Sequence, residues 1–337
     1  MKKLLNTLRI SCSVIGAVIG AGFISGREIM TFFFGYNRYI SSILLFVVLF
    51  LLIYFVLRVK NAFLSNLIKK SELLILMLNV LVMASMLGAT DSLAQSLFGI
   101  RKEIPVLSMP ILLLSTIICL NGYEKLTRVN SIIVPMLLLV FFTAVFVIME
   151  DSNPVSKNGT INAPSCLSYV ALNVFLIQPF LIKIKEEKEV YSPLGVAFIS
   201  SFILALAIFL FLGVLSEDCI YCDIPLILLA NNNRFLYYLL AIIIFIAIFT
   251  TLLAVQFPFC GIINGNDSLT LIFVSVAAFA ISRIGFYKIV DKIYPRMSFI
   301  AIVYYAAFIV IYLFFVLKSQ RGHTLNRRVR KVSRCLS

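Results

Sequence analysis

Apolar runs of about 20 residues recur from one end of the chain to the other, separated by short polar turns. An α-helix rising 1.5 Å per residue needs about that length to cross a ~30 Å hydrocarbon core. The runs fall at roughly 9–34, 39–58, 72–98, 105–121, 129–149, 164–184, 193–215, 235–260, 268–285 and 296–317. They predict an all-α polytopic membrane protein with ten spans. The polar segment EDSNPVSKNGTIN, at 150–162, separates five spans from five more. Because five is odd, the second set runs upside down relative to the first, which is the geometry of an inverted repeat. The chain then reads as one membrane domain over 1–317, with repeat one at about 9–149 and repeat two at about 164–317. A basic tail follows at 318–337.

Two spans depart from a uniform apolar pattern. The first, RISCSVIGAVIGAGFISGREIMTFFF, carries Gly16, Gly20, Gly22 and Gly26 as GxxxGxGxxxG. In hydrocarbon each unpaired N–H or C=O costs several kcal/mol, so a helix that unwinds there must line a protein-enclosed cavity. Two readings stay open: a small-residue packing face, or a broken helix that turns carbonyls and N–H groups toward a bound ion or solute. The sixth span, SYVALNVFLIQPFLIKI, holds Asn173, Gln178 and Pro179. Proline removes a donor and clashes one turn back, so a break or kink is expected between about 173 and 179. Two further segments are too short to cross: CIYCDIPLILLAN at 219–231, and FYKIVDKIYP at 286–295, the latter read as a short helix ended by Pro295.

Composition agrees with the pattern. Of 337 residues 61% are hydrophobic and 13% charged, far from soluble averages. Lys and Arg concentrate on one set of loops: with the N terminus inside, 19 of the 29 fall on the inner face. Both termini are therefore expected on the cytoplasmic face of the membrane. The connection after span nine dissents, with Arg283, Lys288, Lys292 and Arg296 outside; these basic side chains can snorkel to headgroups. The net charge of +14 is thus mostly topology and needs no nucleic acid. The tail KSQRGHTLNRRVRKVSRCLS is expected on anionic lipid, and it contains the chain's one histidine, His323. No span combines a nucleophile, a base and an orienting group, so an enzyme is not expected. Cys219 and Cys222 offer two ligands where a structural zinc site takes four, leaving a local disulfide or two thiols.

In span eight, Ala247, Thr250 and Thr251 stand at i, i+3 and i+4 and share a helix face. Two hydroxyls and a carbonyl there, with the Gly16 and Ile19 carbonyls before the break, would make an oxygen site for Na⁺. Threonines also back-bond within their own helix. Past the break, the N–H groups near Ala21, Gly22 and Phe23 would stabilise an anionic group. Arg27, Glu28 and, in span three, Asp91 are ionisable groups at membrane depth and are candidates for coupling or gating.

These residues resemble the amino acid–polyamine–cation transporter superfamily with its LeuT-type five-plus-five fold, and more narrowly the YkvI-type uncharacterised bacterial membrane proteins. The likeness lies in GAVIGAGFISGREI at 16–29, NGYEKLTRVNSIIVPMLL at 121–138, DIPLILLA at 223–230 and RIGFYKIVDKIYP at 283–295. The resemblance implies broken helices one and six and a sodium site at Gly16, Ile19, Ala247, Thr250 and Thr251. It also implies a substrate between the two breaks, at Gly20, Ala21, Gly22, Phe23, Tyr169 and Asn173. A second sodium site of some members takes an asparagine where this chain has Phe23. The expectation is a secondary transporter of a small organic solute, an amino acid above all, coupled to Na⁺ and needing no other cofactor. The alternatives are a non-transporting ligand-sensing subunit and a proton-coupled transporter. Nothing in the chain fixes its oligomeric state.

Overall fold

The computed structural model describes residues 2–58, 62–101, 104–120, 123–151, 162–186, 190–231, 233–260 and 267–312. The basic tail and His323 lie outside them. The first apolar run forms three consecutive pieces, α1 (Lys2–Val18), α2 (Ala21–Ile24) and α3 (Arg27–Phe33). Then come α4 (Arg38–Arg58), α5 (Ala62–Phe98), α6 (Ser108–Leu120), α7 (Tyr123–Asp151), α8 (Ala163–Glu186), α9 (Pro193–Phe211), α10 (Pro225–Leu229), α11 (Arg234–Gln256) and α12 (Asp267–Ser282). The last helix among the described residues is α13 (Phe286–Tyr312). Helices α4, α5, α7, α8, α9, α11 and α13 each contain a stretch long and apolar enough to cross a membrane, and α6 and α12 are shorter apolar helices.

Helix starts follow local chemistry. Asn37, Asn162, Ser192 and Asn233 each accept a backbone N–H of the first turn of α4, α8, α9 and α11, the usual N-cap arrangement. Side chains sort inside out relative to a soluble protein. Ile43, Val47 and Leu51 on α4, Ile132, Met136 and Leu139 on α7, and Phe299, Val303 and Val310 on α13 are exposed at helical spacing. Contiguous apolar stripes of that extent are unsuited to water and suited to lipid. Ser11, Asn79, Ser85, Asp91, Asn130, Thr250, Thr251 and Gln256 are buried. The chain is a multi-pass membrane protein, with its polar groups facing one another in the interior.

Two expectations are corrected. The sixth apolar run does not break: α8 is continuous through Pro179. It has no glycine to ease departure from helical geometry, it is the most buried of the seven long apolar helices, and Asn79 Nδ2 donates to the Leu176 carbonyl beside the proline at 3.1 Å. Nor does Pro295 end a helix. A π turn at Ile289–Ile293 shifts the hydrogen-bond register, the Tyr294 N–H reaching Ile289, and α13 runs on to Tyr312.

Gly26 adopts φ +87°, and a Cβ there would lie 2.8 Å from the Phe211 ring; Gly35, at φ +76°, has open space around it. A left-handed conformation costs a non-glycine residue about 1–2 kcal/mol. Gly26→Ala is therefore expected to lower the melting temperature of the purified protein clearly more than Gly35→Ala, which carries the backbone cost alone.

Candidate functional site

Sequence places glycine where the first helix must let go of its own hydrogen bonds. The Ile19 N–H still reaches the Ile15 carbonyl at 2.7 Å, but the Gly20 N–H turns to Val18 at 2.9 Å, abandoning Gly16. The released Gly16 carbonyl accepts a hydrogen bond from Thr251 Oγ1, on α11, at 3.1 Å. Close approach requires the missing side chains. A Cβ at Gly20 would lie 3.0 Å from Thr251 Oγ1, and one at Gly16 would lie 2.8 Å from Val134 Cγ2 and 3.6 Å from Thr250 Cβ. Thr250 Oγ1 donates to Ala247 within its own helix at 3.0 Å. Of the two threonines, then, Thr250 back-bonds locally and Thr251 crosses to the interrupted span. The oxygens gathered here are neutral carbonyls and hydroxyls. Among the described residues no three His, Cys, Asp or Glu side chains converge on one point, so the donor set suits a hard monovalent cation better than a transition metal.

Beside this junction lies an enclosed cavity with about 20 Å³ open to the centre of a water molecule, lined by residues that include Gly20, Glu28, Met86, Asn173, Thr251 and Tyr294. That is room for about one water. Glu28 is 5% exposed, and its carboxyl lies directly over Gly22, where a Cβ would overlap it. The Tyr169 hydroxyl lies beside that carboxyl without closing a hydrogen bond of normal geometry. Tyr294 shares a bond with Ser85 Oγ at 2.7 Å.

A second interruption, at Ser25–Gly26, is covered by the α9–α11 connection. The Leu226 N–H of α10 donates to the Ser25 carbonyl at 2.9 Å. Arg27, next in sequence, points away from the cavity. Its guanidinium forms an ion pair with Asp291 in the π turn of α13 and donates to the Ile220 and Cys222 carbonyls. It also stacks 4.0 Å from the Tyr287 ring centre. Thr31 Oγ1 donates to the same carboxylate at 2.8 Å. Asp91, on α5, pairs with Arg283 at 2.8 Å at the rim of a wider depression of about 380 Å³. A separate cluster joins α8, α13 and α5, where Gln178 bridges Tyr304 and Tyr305 and Ser71 bonds Tyr304.

The structure thus gathers Gly16, Thr250 and Thr251 at one junction, and places Gly20 and Asn173 at the cavity. The Asn173 amide donates back to the Tyr169 carbonyl at 2.9 Å. Phe23 does not line the cavity: its ring packs against Phe141 on α7, centroids 6.3 Å apart. Tyr169 is likewise set back, against Phe32 and Phe33, and the side chain of Ala21 lies outside the described residues. The space above the break, expected to receive a solute's anionic group, is taken by the chain's own Glu28. Cys219 and Cys222 are unpaired thiols. Sequence reasoning missed Tyr294 at the cavity and Asp291 as the partner of Arg27. Asp291 had a signal, as an acidic residue in an otherwise basic connection.

No protein-family model matches the chain. It is 26% identical to the uncharacterised membrane protein YkvI of Bacillus subtilis strain 168, across 87% of this chain and 92% of that one. The likeness, which runs over most of both chains, supports a membrane protein.

Arg27 is 4% exposed and Asp291 22%. Removing one partner of a buried pair strands the other, whereas replacing both with apolar groups costs much less. Asp291→Leu alone is expected to destabilise the purified protein by about 1–3 kcal/mol, and Arg27→Met with Asp291→Leu by less than the two single changes summed, as measured by a double-mutant cycle of thermal unfolding.

Proposed function

We propose that this protein is a secondary transporter of a small organic solute carrying an amino group, an amino acid being the leading class, driven by Na⁺ and working by alternating access. The observation that carries the reading is the Gly20 turn, which frees the Gly16 carbonyl toward Thr251 beside an enclosed cavity. A backbone left open at mid-membrane is tolerated where it serves a bound ion or solute. Seven long apolar helices, two shorter ones and the interrupted first helix support ten spans, arranged as five plus an inverted five of the LeuT type.

Each part has a role in this reading. Na⁺ takes oxygens from Gly16, Ile19, Ala247, Thr250 and Thr251, displacing the hydrogen bonds those groups now make. The solute enters the cavity at Gly20 and Asn173, and its ammonium pairs with Glu28, which has no basic partner among the described residues. A buried carboxylate needs such a counter-charge. An amino acid needs several times the present cavity, so helices must part to admit it. The Arg27–Asp291 pair closes the outer side and the Gln178–Tyr304–Tyr305 cluster the inner. The π turn beside Asp291 is the sort of irregularity found at functional hinges. Arg283 with Asp91 lies at the outer vestibule.

The burial of Glu28 without a basic partner among the described residues favours one second reading, in which this carboxyl takes up a proton and a proton gradient drives transport. Uptake of a labelled amino-acid panel into proteoliposomes separates the two. Accumulation that follows an imposed Na⁺ gradient and ignores a pH gradient is the expected result; the reverse assigns the coupling to protons, and binding without accumulation makes the protein a sensor. With Thr250→Ala and Thr251→Ala together, sodium dependence should vanish while the protein stays folded. Retained sodium-driven uptake contradicts the ion site. Glu28→Gln should weaken solute binding by about 10- to 100-fold, the worth of a charge-assisted hydrogen bond, and unchanged affinity removes Glu28 from the solute's contacts.

A further inference from the structure

Asn130 is fully buried on α7, and among the described residues neither atom of its amide has a hydrogen-bond partner. Buried amides are ordinarily paired. Its position is specific. Asn130 and Val134, one turn apart on α7, both face Gly16: a Cβ on Gly16 would lie 3.8 Å from Asn130 Nδ2, 2.8 Å from Val134 Cγ2 and 3.6 Å from Thr250 Cβ. The idle amide therefore lies against Gly16, the residue whose carbonyl Thr251 engages, on the side where Thr250 also approaches. Turning the amide over exchanges nitrogen for oxygen at no cost in space.

We infer that Asn130 Oδ1 is a further ligand of the cation site, so that a monovalent cation is held by oxygens from α1, α7 and α11. The inference rests on the sodium-coupled reading and extends it to a third helix. A neutral amide oxygen adds a strong dipole without adding charge, which keeps the site matched to a singly charged ion. It also ties α7 to the loaded state, because the amide gains a partner only when the ion arrives.

A purely structural role and a ligand role predict opposite results for Asn130→Leu. The substitution removes an unpaired buried amide and keeps the side chain's branching and number of heavy atoms, so stability without sodium should equal or exceed that of the unchanged protein. Melting temperatures of the purified proteins would be followed across NaCl concentration, with choline chloride holding ionic strength constant. The unchanged protein is expected to gain stability with Na⁺, and Asn130→Leu to need at least ten-fold more Na⁺ for half of that gain, with Asn130→Ala behaving alike. A Na⁺ midpoint within two-fold of the unchanged protein's would overturn the assignment and leave sodium coupling intact. A flat response of the unchanged protein would overturn both. Failure of both variants to fold would show Asn130 to be a structural element and would also overturn it.

Discussion

Everything at the centre of this molecule follows from the rule that a peptide group in hydrocarbon must find a partner. The first span meets that rule in an unusual way. Its Gly20 N–H doubles back to Val18, so the Gly16 carbonyl is left to another helix, and Thr251 supplies the missing hydrogen bond. The exchange is possible because Gly16 and Gly20 carry no Cβ to hold α7 and α11 away. One structural decision thereby creates the helix break, the close packing of three helices and an oxygen-rich junction.

The rest of the interior arranges itself around this break. Glu28 folds over Gly22 into the cavity, while its neighbour Arg27 turns outward to Asp291. Adjacent residues on a helix point in different directions, and here the difference separates an acid facing the cavity from a base engaged in the cover. Two polar clusters differ in chemistry. An ion pair and backbone carbonyls meet between α3 and α13, and a neutral amide–phenol cluster joins α8 to α13.

Much of the fold is legible in the chain because span length is set by membrane thickness and needs no knowledge of partners. The broken first helix is also legible, since four glycines at mid-membrane depth mark a place where backbone can leave the helix. The sixth span misleads because proline advertises a break without revealing what stabilises the continuous form. Here that is Asn79, 97 residues away in sequence. The role of Arg27 is hidden likewise, its carboxylate partner lying 264 residues distant. Asn130 gives no warning at all: one asparagine on an apolar helix acquires meaning only when Gly16 is found beside it. Local pattern specifies elements, and pairings between remote residues specify the site.

The Arg27 guanidinium simultaneously engages a carboxylate on α13 and two carbonyls of the α9–α11 connection, while that connection is also bonded to the Ser25 carbonyl. Two remote stretches of chain, Ile220–Leu226 and the π turn, therefore converge on Ser25 and Arg27. Losing any one of these contacts leaves polar groups stranded in the others. The Ser25–Arg27 corner is therefore a single cooperative unit, in which a substitution at one contact is felt at the rest.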